Sequence, residues 1–322
     1  MMNCDCIIVC NGPSLKDIDF RHFEGKAVFT ANRSYLSFKE FPENIKHFHV
    51  VVNELVAQQF SNDLRNLDCD LYTLSRYKKY FGDGSNINYI TDVPGIGFIS
   101  KNSEFAYIGA TVTFVMLQLA VSLGYKKIGI VGLDHSFSIS GQPHKNLDGL
   151  KEDVNHYVSN YFPKGISWQA PDLLESELNY TIAELYSSKL GFEILNYSTK
   201  SELNIFAKYR YDPELGFTNE MVSPRHISIE QLAASYASES NSGRMPILGN
   251  LIFSKWFKFA YLFALLLLFI FYFFVGPVIS DILISLSITF LPFLMRKIVN
   301  WIKAFRRRVR LEMIFSHLSM LV

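Results

Sequence analysis

The sequence predicts an α/β fold: a Rossmann-like, mainly parallel sheet with helices on both faces, followed by a C-terminal transmembrane helical hairpin and a basic amphipathic helix. Three observations predict it. Short apolar runs alternate with helix-length segments over residues 3–210, the order that builds a parallel sheet. One run, KKIGIVGLD at 126–134, becomes continuously apolar after its two lysines, as a strand buried on both faces does. Near the C-terminus, Phe259 to Ser280 carries no charge over a length that can cross a bilayer.

The elements follow in order. CDCIIVC (4–10) reads as a strand, and NGPSLKDID (11–19) as a loop entering a helix. KAVFTAN (26–32) is a strand and SYLSFKEF (34–41) a helix; HFHVVVN (47–53) is a strand and ELVAQQFSNDLRN (54–66) a helix. CDLYTLS (69–75) is a strand. In ATVTFVMLQLAVSLGY (110–125), Val112, Val115, Met116, Leu119, Ala120 and Leu123 recur on one helical face, and Gly124 is placed to end the helix. After KKIGIVGLD, the run DLLESELNYTIAELYSSKLG (172–191) is a helix that also ends in glycine, and FEILNYS (192–198) is a last strand. Residues 1–212 are therefore expected to form one α/β domain, which the strand-end residues below mark as the nucleotide(-sugar)-binding catalytic domain. A weakly patterned connector occupies 213–252, with Pro224, SESNSGRMP and Gly249.

The C-terminal part is of another kind. Residues 253–322 carry nine Lys/Arg and two acids, a net +7, so the other 252 residues carry a net −6. An acidic main body excludes nucleic acid as its partner, because a phosphate backbone wants a basic face. Within 253–295 two topologies compete: one span over 259–280, or two arms turning at Gly276-Pro277. Basic residues flank both sides, Lys255 and Lys258 before and Arg296 to Arg310 after, which favours the hairpin with both ends in the cytoplasm. Asp281 then lies near the far interface. In 296–322, Ile298, Trp301, Ile302, Phe305 and Val309 recur at helical spacing between basic residues, the pattern of a helix lying on anionic lipid. The bilayer is thus an expected partner, the inner or plasma membrane the expected location, and the hairpin a surface on which copies of the chain can pack. Met1–Val9 is too short and lacks the basic start of a signal peptide. Cys4, Cys6, Cys10 and Cys69 show no zinc spacing and read as buried free thiols in a reducing compartment.

In such sheets ligands sit at the carboxyl ends of strands. Four of those ends are unusually polar: Asn11-Gly12-Pro13-Ser14, Ala31-Asn32-Arg33, Val52-Asn53-Glu54 and Gly132-Leu133-Asp134-His135. An asparagine offers a donor and an acceptor without charge, which suits a base edge, a ribose or a sugar hydroxyl. One such asparagine reads as a helix cap; three in register read as a nucleotide or sugar site. Gly12 permits close backbone approach, and Pro13 opens a helix whose N–H groups face a phosphate. Gly109, Ala110 and Thr111 start the long helix, with Thr111 either a cap or part of an anion site. His135 and His156 are the two histidines placed to accept a proton, and Trp168 stacks on a sugar or base or fills the core. Asp68-Cys69-Asp70 has a metal-clamp spelling but starts its strand, at the wrong edge of the sheet. Asp148, Glu152 and Asp153 read as a solvated loop rather than a Mg²⁺ site. No metal site is expected.

The segments NGPSLKDID, TANRSY, VVNELV, GATVTFVMLQLAVSLGYKKIGIVGLDHSF and NHYVSNYFPKGISWQAPDLLESE, in that order, resemble the MptE-like/motility-associated-factor domain family, which is related to the sialyltransferases of glycosyltransferase family 42. The resemblance covers about two-thirds of the chain, residues 3–210. It implies a transferase that takes a CMP-activated nonulosonic acid, without metal or further cofactor, and passes the sugar to a glycan or lipid-linked acceptor. It places Asn11, Asn32 and Asn53 at the donor site and Gly12 to Ser14 beside the phosphate. The resemblance does not itself align a base; by place in the sequence His156 is the expected base with His135, after Asp134, as its rival, and Tyr157, Tyr161 and the loop N–H groups are expected to stabilise the leaving phosphate. The chain departs from the sialyltransferases after its Gly-x-Asp motif, where His135, Ser136 and Phe137 stand in place of tyrosines. A second branch of the resemblance implies a Mg²⁺-dependent 6-hydroxymethylpterin diphosphokinase using ATP, and a third reading is an inactive scaffold of a glycan-assembly complex.

Overall fold

The structure, a computed structural model, describes residues 4–137, 146–148, 153–159, 161–198 and 200–228, with short helical pieces between 231 and 320. Its chain divides into two units, 1–233 with 314–322, and 234–313. The first holds the α/β body.

Among the described residues twelve strands occur in chain order: β1 (Cys6–Val9), β2 (Ala27–Ala31), β3 (Lys46–Val51), β4 (Asp70–Leu74), β5 (Ile87–Asp92), β6 (Phe105–Ala106), β7 (Lys127–Val131), β8 (Asn146–Asp148), β9 (Ser167–Gln169), β10 (Glu193–Asn196), β11 (Lys208–Asp212) and β12 (Gly216–Ser223). The α-helices of the α/β body, among the described residues, include α1 (Glu54–Leu64), α2 (Lys78–Phe81), α3 (Val112–Ser122) and α4 (Leu173–Leu190). Ten strands form one sheet in the order β12-β11-β10-β7-β1-β2-β3-β4-β5-β6, parallel throughout except for the β11–β12 pair. β8 and β9 form a separate antiparallel pair. The predicted parallel α/β class holds.

The chain winds outward from β1 to β6, then returns to the other side of β1 as β7. The crevice between β1 and β7 is therefore the switch point, where an open α/β sheet leaves room for a ligand. Every residue of β1 and β2 is buried, as strands covered on both faces require. α3 corrects the one-face expectation. Thr113 to Ala120 are all buried, while Leu123 is exposed, so the helix is enclosed by the fold on every side. Gly191 ends α4 in the left-handed conformation, as expected.

Two predicted helices are shorter and tighter. Pro13–Asp17 and Ser34–Glu40 are 3₁₀ helices. The connector also begins later than the sequence suggests, because Gly216–Ser223 is β12 and pairs with β11. Its polar, half-exposed pattern hides it from a search for apolar runs. β5, β6 and β11 escape the same search. Cys4, Cys6 and Cys10 are buried free thiols, and Cys69 is partly buried.

Among the described residues no helix is long and apolar enough to cross a membrane. The hairpin expected at 253–295 lies outside the described residues. Of the basic helix expected at 296–322, the described part, from 305 onward, is helical. There Phe305, Val309 and Met313 are exposed, and Leu311, Ile314 and Leu318 are buried.

Candidate functional site

A cavity of about 220 Å³ opens at the carboxyl edge of the sheet, over the switch point. Its floor is made by strand ends: Asn11 and Gly12 after β1, Asn32 after β2, Asn53 after β3, and Gly132 to Phe137 after β7. Its wall comes from the segment between β8 and α4, with Asn155, His156, Tyr161, Phe162 and Trp168. Ala110, Thr111 and Thr113 contribute the start of α3.

The three asparagines divide. Asn53 caps α1, its side chain accepting the Val56 N–H at 3.2 Å, so the cap reading holds for it although it also lines the cavity. Asn11 does not cap; its amide donates to the Tyr161 hydroxyl at 2.8 Å. Asn32 takes a left-handed conformation (φ 56°), which asparagine tolerates better than most residues. Its side-chain oxygen is buried and has no hydrogen-bond partner among the described residues. Such an acceptor lacks the water it would otherwise bind, so it favours a ligand that brings a donor.

In the loop Gly12 to Ser14, expected beside the phosphate, the backbone N–H groups already have protein partners. Gly12 N–H donates to the Gly132 carbonyl at 2.9 Å. Pro13 has no N–H. Ser14 N–H donates to the Asp134 carboxylate at 2.8 Å, the Ser14 hydroxyl donates to the same group, and Leu15 N–H donates to the Gly12 carbonyl at 3.2 Å. The Asp134 carboxylate thus occupies the nest an anion would need. Pro13 and Ser14 do not line the cavity, whereas Asp134 does and also clamps the loop. The fit is close: a Cβ on Gly12 would lie 2.5 Å from the Gly132 oxygen and 2.7 Å from Asp134 Oδ2.

Two further residues lie outside the cavity. Gly109 does not line the cavity; it takes φ 58°, and a Cβ there would strike Asn179 at 2.9 Å. Tyr157 lies outside the cavity, packs edge-on against Phe20 and donates to Glu40 at 2.6 Å. Burial and that carboxylate push its hydroxyl up to about 12. Thr111 is the cap of α3, accepting the Thr113 N–H at 3.3 Å, and also meets the Tyr180 hydroxyl at 3.2 Å.

The wall is an aromatic box. The His156 ring stacks on Tyr161 at 4.1 Å and 9°, and Phe162 stacks on Trp168 at 5.4 Å and 12°. His156 meets Trp168 edge-on at 6.2 Å. Trp168 sits on β9, which Gln59 of α1 holds by two bonds to the Ser167 backbone, at 3.0 and 3.2 Å. Tyr161 is buried, and its oxygen accepts from Asn11 and from the Arg33 N–H at 3.0 Å. The Arg33 guanidinium in turn donates to the Tyr161 carbonyl. Burial raises the Tyr161 hydroxyl well above its ordinary value, so it stays protonated and keeps a proton to donate.

Both candidate histidines line the cavity and both meet a carboxylate. His156 Nδ1 lies 2.9 and 2.8 Å from the two oxygens of Asp153, and both side chains are nearly buried. Burial opposes charge on Asp153, but the hydrogen bond and charge of His156 and two backbone N–H groups outweigh it and hold the carboxyl below its usual range. A charged Asp153 fixes the His156 proton on Nδ1 and leaves Nε2 as the acceptor. His135 Nε2 lies 3.0 Å from Glu177 of α4, whose side chain is about one-third exposed. His135 also takes a left-handed conformation, φ 55°. Sequence reasoning missed Glu177, Phe162 and Asn155; no spacing in the sequence pairs them with the strand ends.

Cys10 also lines the cavity, but burial pushes its thiol up to about 12, so it is no thiolate nucleophile. Among the described residues no group of His, Cys, Asp and Glu is arranged to hold a metal ion. Asp70 opens β4 at the amino edge, away from the cavity.

No protein-family model matches the sequence, and no curated protein matches it. Among solved structures, the chain is similar to the sialyltransferase CstII from Campylobacter jejuni in complex with a substrate analogue, CMP-3FNeuAc. The identity is 14%, over 73% of this chain and 99% of that chain, with a TM-score of 0.37. It is also similar to CstII from the same organism in complex with cytidine-5'-monophosphate, at 16% identity over 74% of this chain and 98% of that chain, with a TM-score of 0.28.

Proposed function

We propose that this protein is a glycosyltransferase that moves a sugar from a CMP-activated donor, a nonulosonic acid by the sequence resemblance, to an acceptor hydroxyl without a metal. The observation that carries the reading is the cavity itself. It joins an unpaired asparagine acceptor and neutral polar floor to an aromatic wall holding a carboxylate-oriented histidine.

The roles follow from that geometry. Asn11 and Asn32 recognise neutral donors and acceptors of the nucleotide. Phe162 and Trp168 offer a stacking face to a base or sugar. His156 Nε2 takes the acceptor O–H proton as the acceptor oxygen bonds to the anomeric carbon. The bond from that carbon to the phosphate oxygen breaks, and CMP leaves with the electron pair. Charged Asp153 stabilises the imidazolium that forms. The phosphate sits at the start of α3, by Ala110 and Thr111, because the N–H groups of Gly12 to Leu15 are spent. The Tyr161 hydroxyl donates to the charge that develops there.

The reading extends to setting. The apolar stretch at 253–295 anchors the enzyme in the inner or plasma membrane with its body in the cytoplasm, where a lipid-linked glycan is the acceptor.

Calorimetry with CMP, CDP, UDP, GDP and ATP, each with and without Mg²⁺, tests the proposal. Metal-independent preference for CMP is expected. Mg²⁺-dependent preference for ATP would overturn it and favour the pterin diphosphokinase.

A further inference from the structure

The turn that carries Asn32 is held from below by a chain of neutral groups that no part of the proposed reaction uses. Thr30 on β2 lies between two histidines of β3. Its hydroxyl oxygen is 2.9 Å from His47 Nε2 and 2.7 Å from His49 Nδ1. His49 Nε2 is 2.9 Å from the Asn32 carbonyl oxygen. That carbonyl can only accept, so His49 carries its proton on Nε2 and its Nδ1 accepts from Thr30. Thr30 directs its single proton to His49 at 2.7 Å, with the Phe48 carbonyl a longer second acceptor at 3.3 Å, and accepts from His47 Nε2–H.

The placement is not incidental packing. His49 and Thr30 are fully buried, and His49 meets Phe38 and Tyr35 edge-on. A buried imidazole is a costly filler unless both nitrogens are satisfied, and here both are. Burial and the neighbouring His47 hold His49 down to about 3, so the chain stays neutral in ordinary buffers. Its end point is Asn32, which takes positive φ at the cavity.

We infer that His49 is a positioning residue: through the Asn32 carbonyl it holds the left-handed turn that keeps the Asn32 side-chain oxygen at the cavity, and so sets the affinity for the nucleotide. The affinity part of this inference rests on the proposed function; the positioning part does not.

The test has two arms on the full chain. In the first, without ligand, the backbone and side-chain amide resonances of Asn32 are compared in wild type, His49→Gln, His49→Phe and Thr30→Val. Gln keeps an N–H donor, so the Asn32 resonances should stay near their wild-type positions; Phe should shift both. Thr30→Val, which removes the hydroxyl at nearly constant size, should shift them less and provides the readout if His49→Phe fails to fold. Unmoved Asn32 resonances in every folded variant that lacks the donor or the hydroxyl would overturn the inference.

The second arm is a double-mutant cycle with CMP as the calorimetric probe. His49→Phe should weaken CMP on the order of tenfold, about the net worth of one hydrogen bond. In an Asn32→Ala background it should weaken CMP no further. An undiminished loss in that background would overturn the inference. If wild type binds no CMP, the proposed function fails, and the first arm still decides the positioning role.

Discussion

The floor and the wall of the cavity are built by different means. The floor is an extension of the sheet. Cys10 N–H donates to Val131, Gly12 to Gly132 and Asn32 to Val50, so the floor turns are stitched backbone to backbone. Among its described residues the wall has little regular structure beyond the three residues of β9. One backbone bond ties it to the floor, Tyr157 N–H to the Asn11 carbonyl at 2.8 Å, and side chains supply the rest: His156 on Asp153, Tyr161 between Asn11 and Arg33, and Ser167 on Gln59. The difference teaches where each property resides. Sheet-borne groups are fixed in position and suit recognition, whereas the loop-borne imidazole is oriented by one carboxylate and suits proton transfer.

That comparison can be broken. The largest effect belongs to the wall. His156→Ala should cut turnover by roughly 10²–10⁴-fold, the usual worth of a general base, while CMP affinity stays within a few fold. An equal loss in both would return His156 to the floor's role.

A floor change should act on the fold first. Gly12→Ala drives a methyl against the Gly132 carbonyl and the Asp134 carboxylate. It should cost about 1–3 kcal/mol in urea unfolding, with binding lost in parallel. Unchanged stability would show that the loop and Asp134 separate easily.

Acid sharpens the contrast further. His49 is held down to about 3 by burial, well below the value near 6.5 of an exposed histidine. The unfolded chain therefore binds its proton first. This part of the stability is full above pH 6.5 and falls by up to about 1.4 kcal/mol per unit as pH drops from there toward 3. Unfolding midpoints at pH 7.5 and 5.0 should converge more in His49→Gln than in wild type, and equal slopes would contradict the assignment. The smallest effect is at Asn53, where Ala removes the α1 cap for about 1 kcal/mol of stability. A much larger loss of CMP affinity than of stability would show that Asn53 serves the ligand more than the helix.

The floor was the legible half. Strand ends follow from apolar runs such as CIIV and KIGIV, and asparagines on three of those ends can be seen without coordinates. Asn53 before a helix-forming run even shows its cap. The pairing of the Gly12–Ser14 loop with Asp134 was not legible, because the two are 120 residues apart and nothing local tells a free N–H from one spent on a distant carboxylate. The wall's residue types were visible, but its pairings were not. A loop has no period, so the stack of His156 on Tyr161 and the placing of Tyr157 outside the cavity follow from tertiary contacts alone. β12 escaped for a related reason, since an edge strand with polar, exposed residues lacks the apolar signature of the buried ones.

The central claim is that this cavity passes a sugar from a CMP donor without a metal. The most direct measurement is release of CMP from CMP-activated nonulosonic acids by the full chain, in EDTA and in Mg²⁺, with a glycan acceptor present. The account predicts acceptor-dependent CMP release at the same rate in both, abolished in His156→Ala. Release that requires Mg²⁺, or no release together with AMP formation from ATP and 6-hydroxymethylpterin, would contradict it.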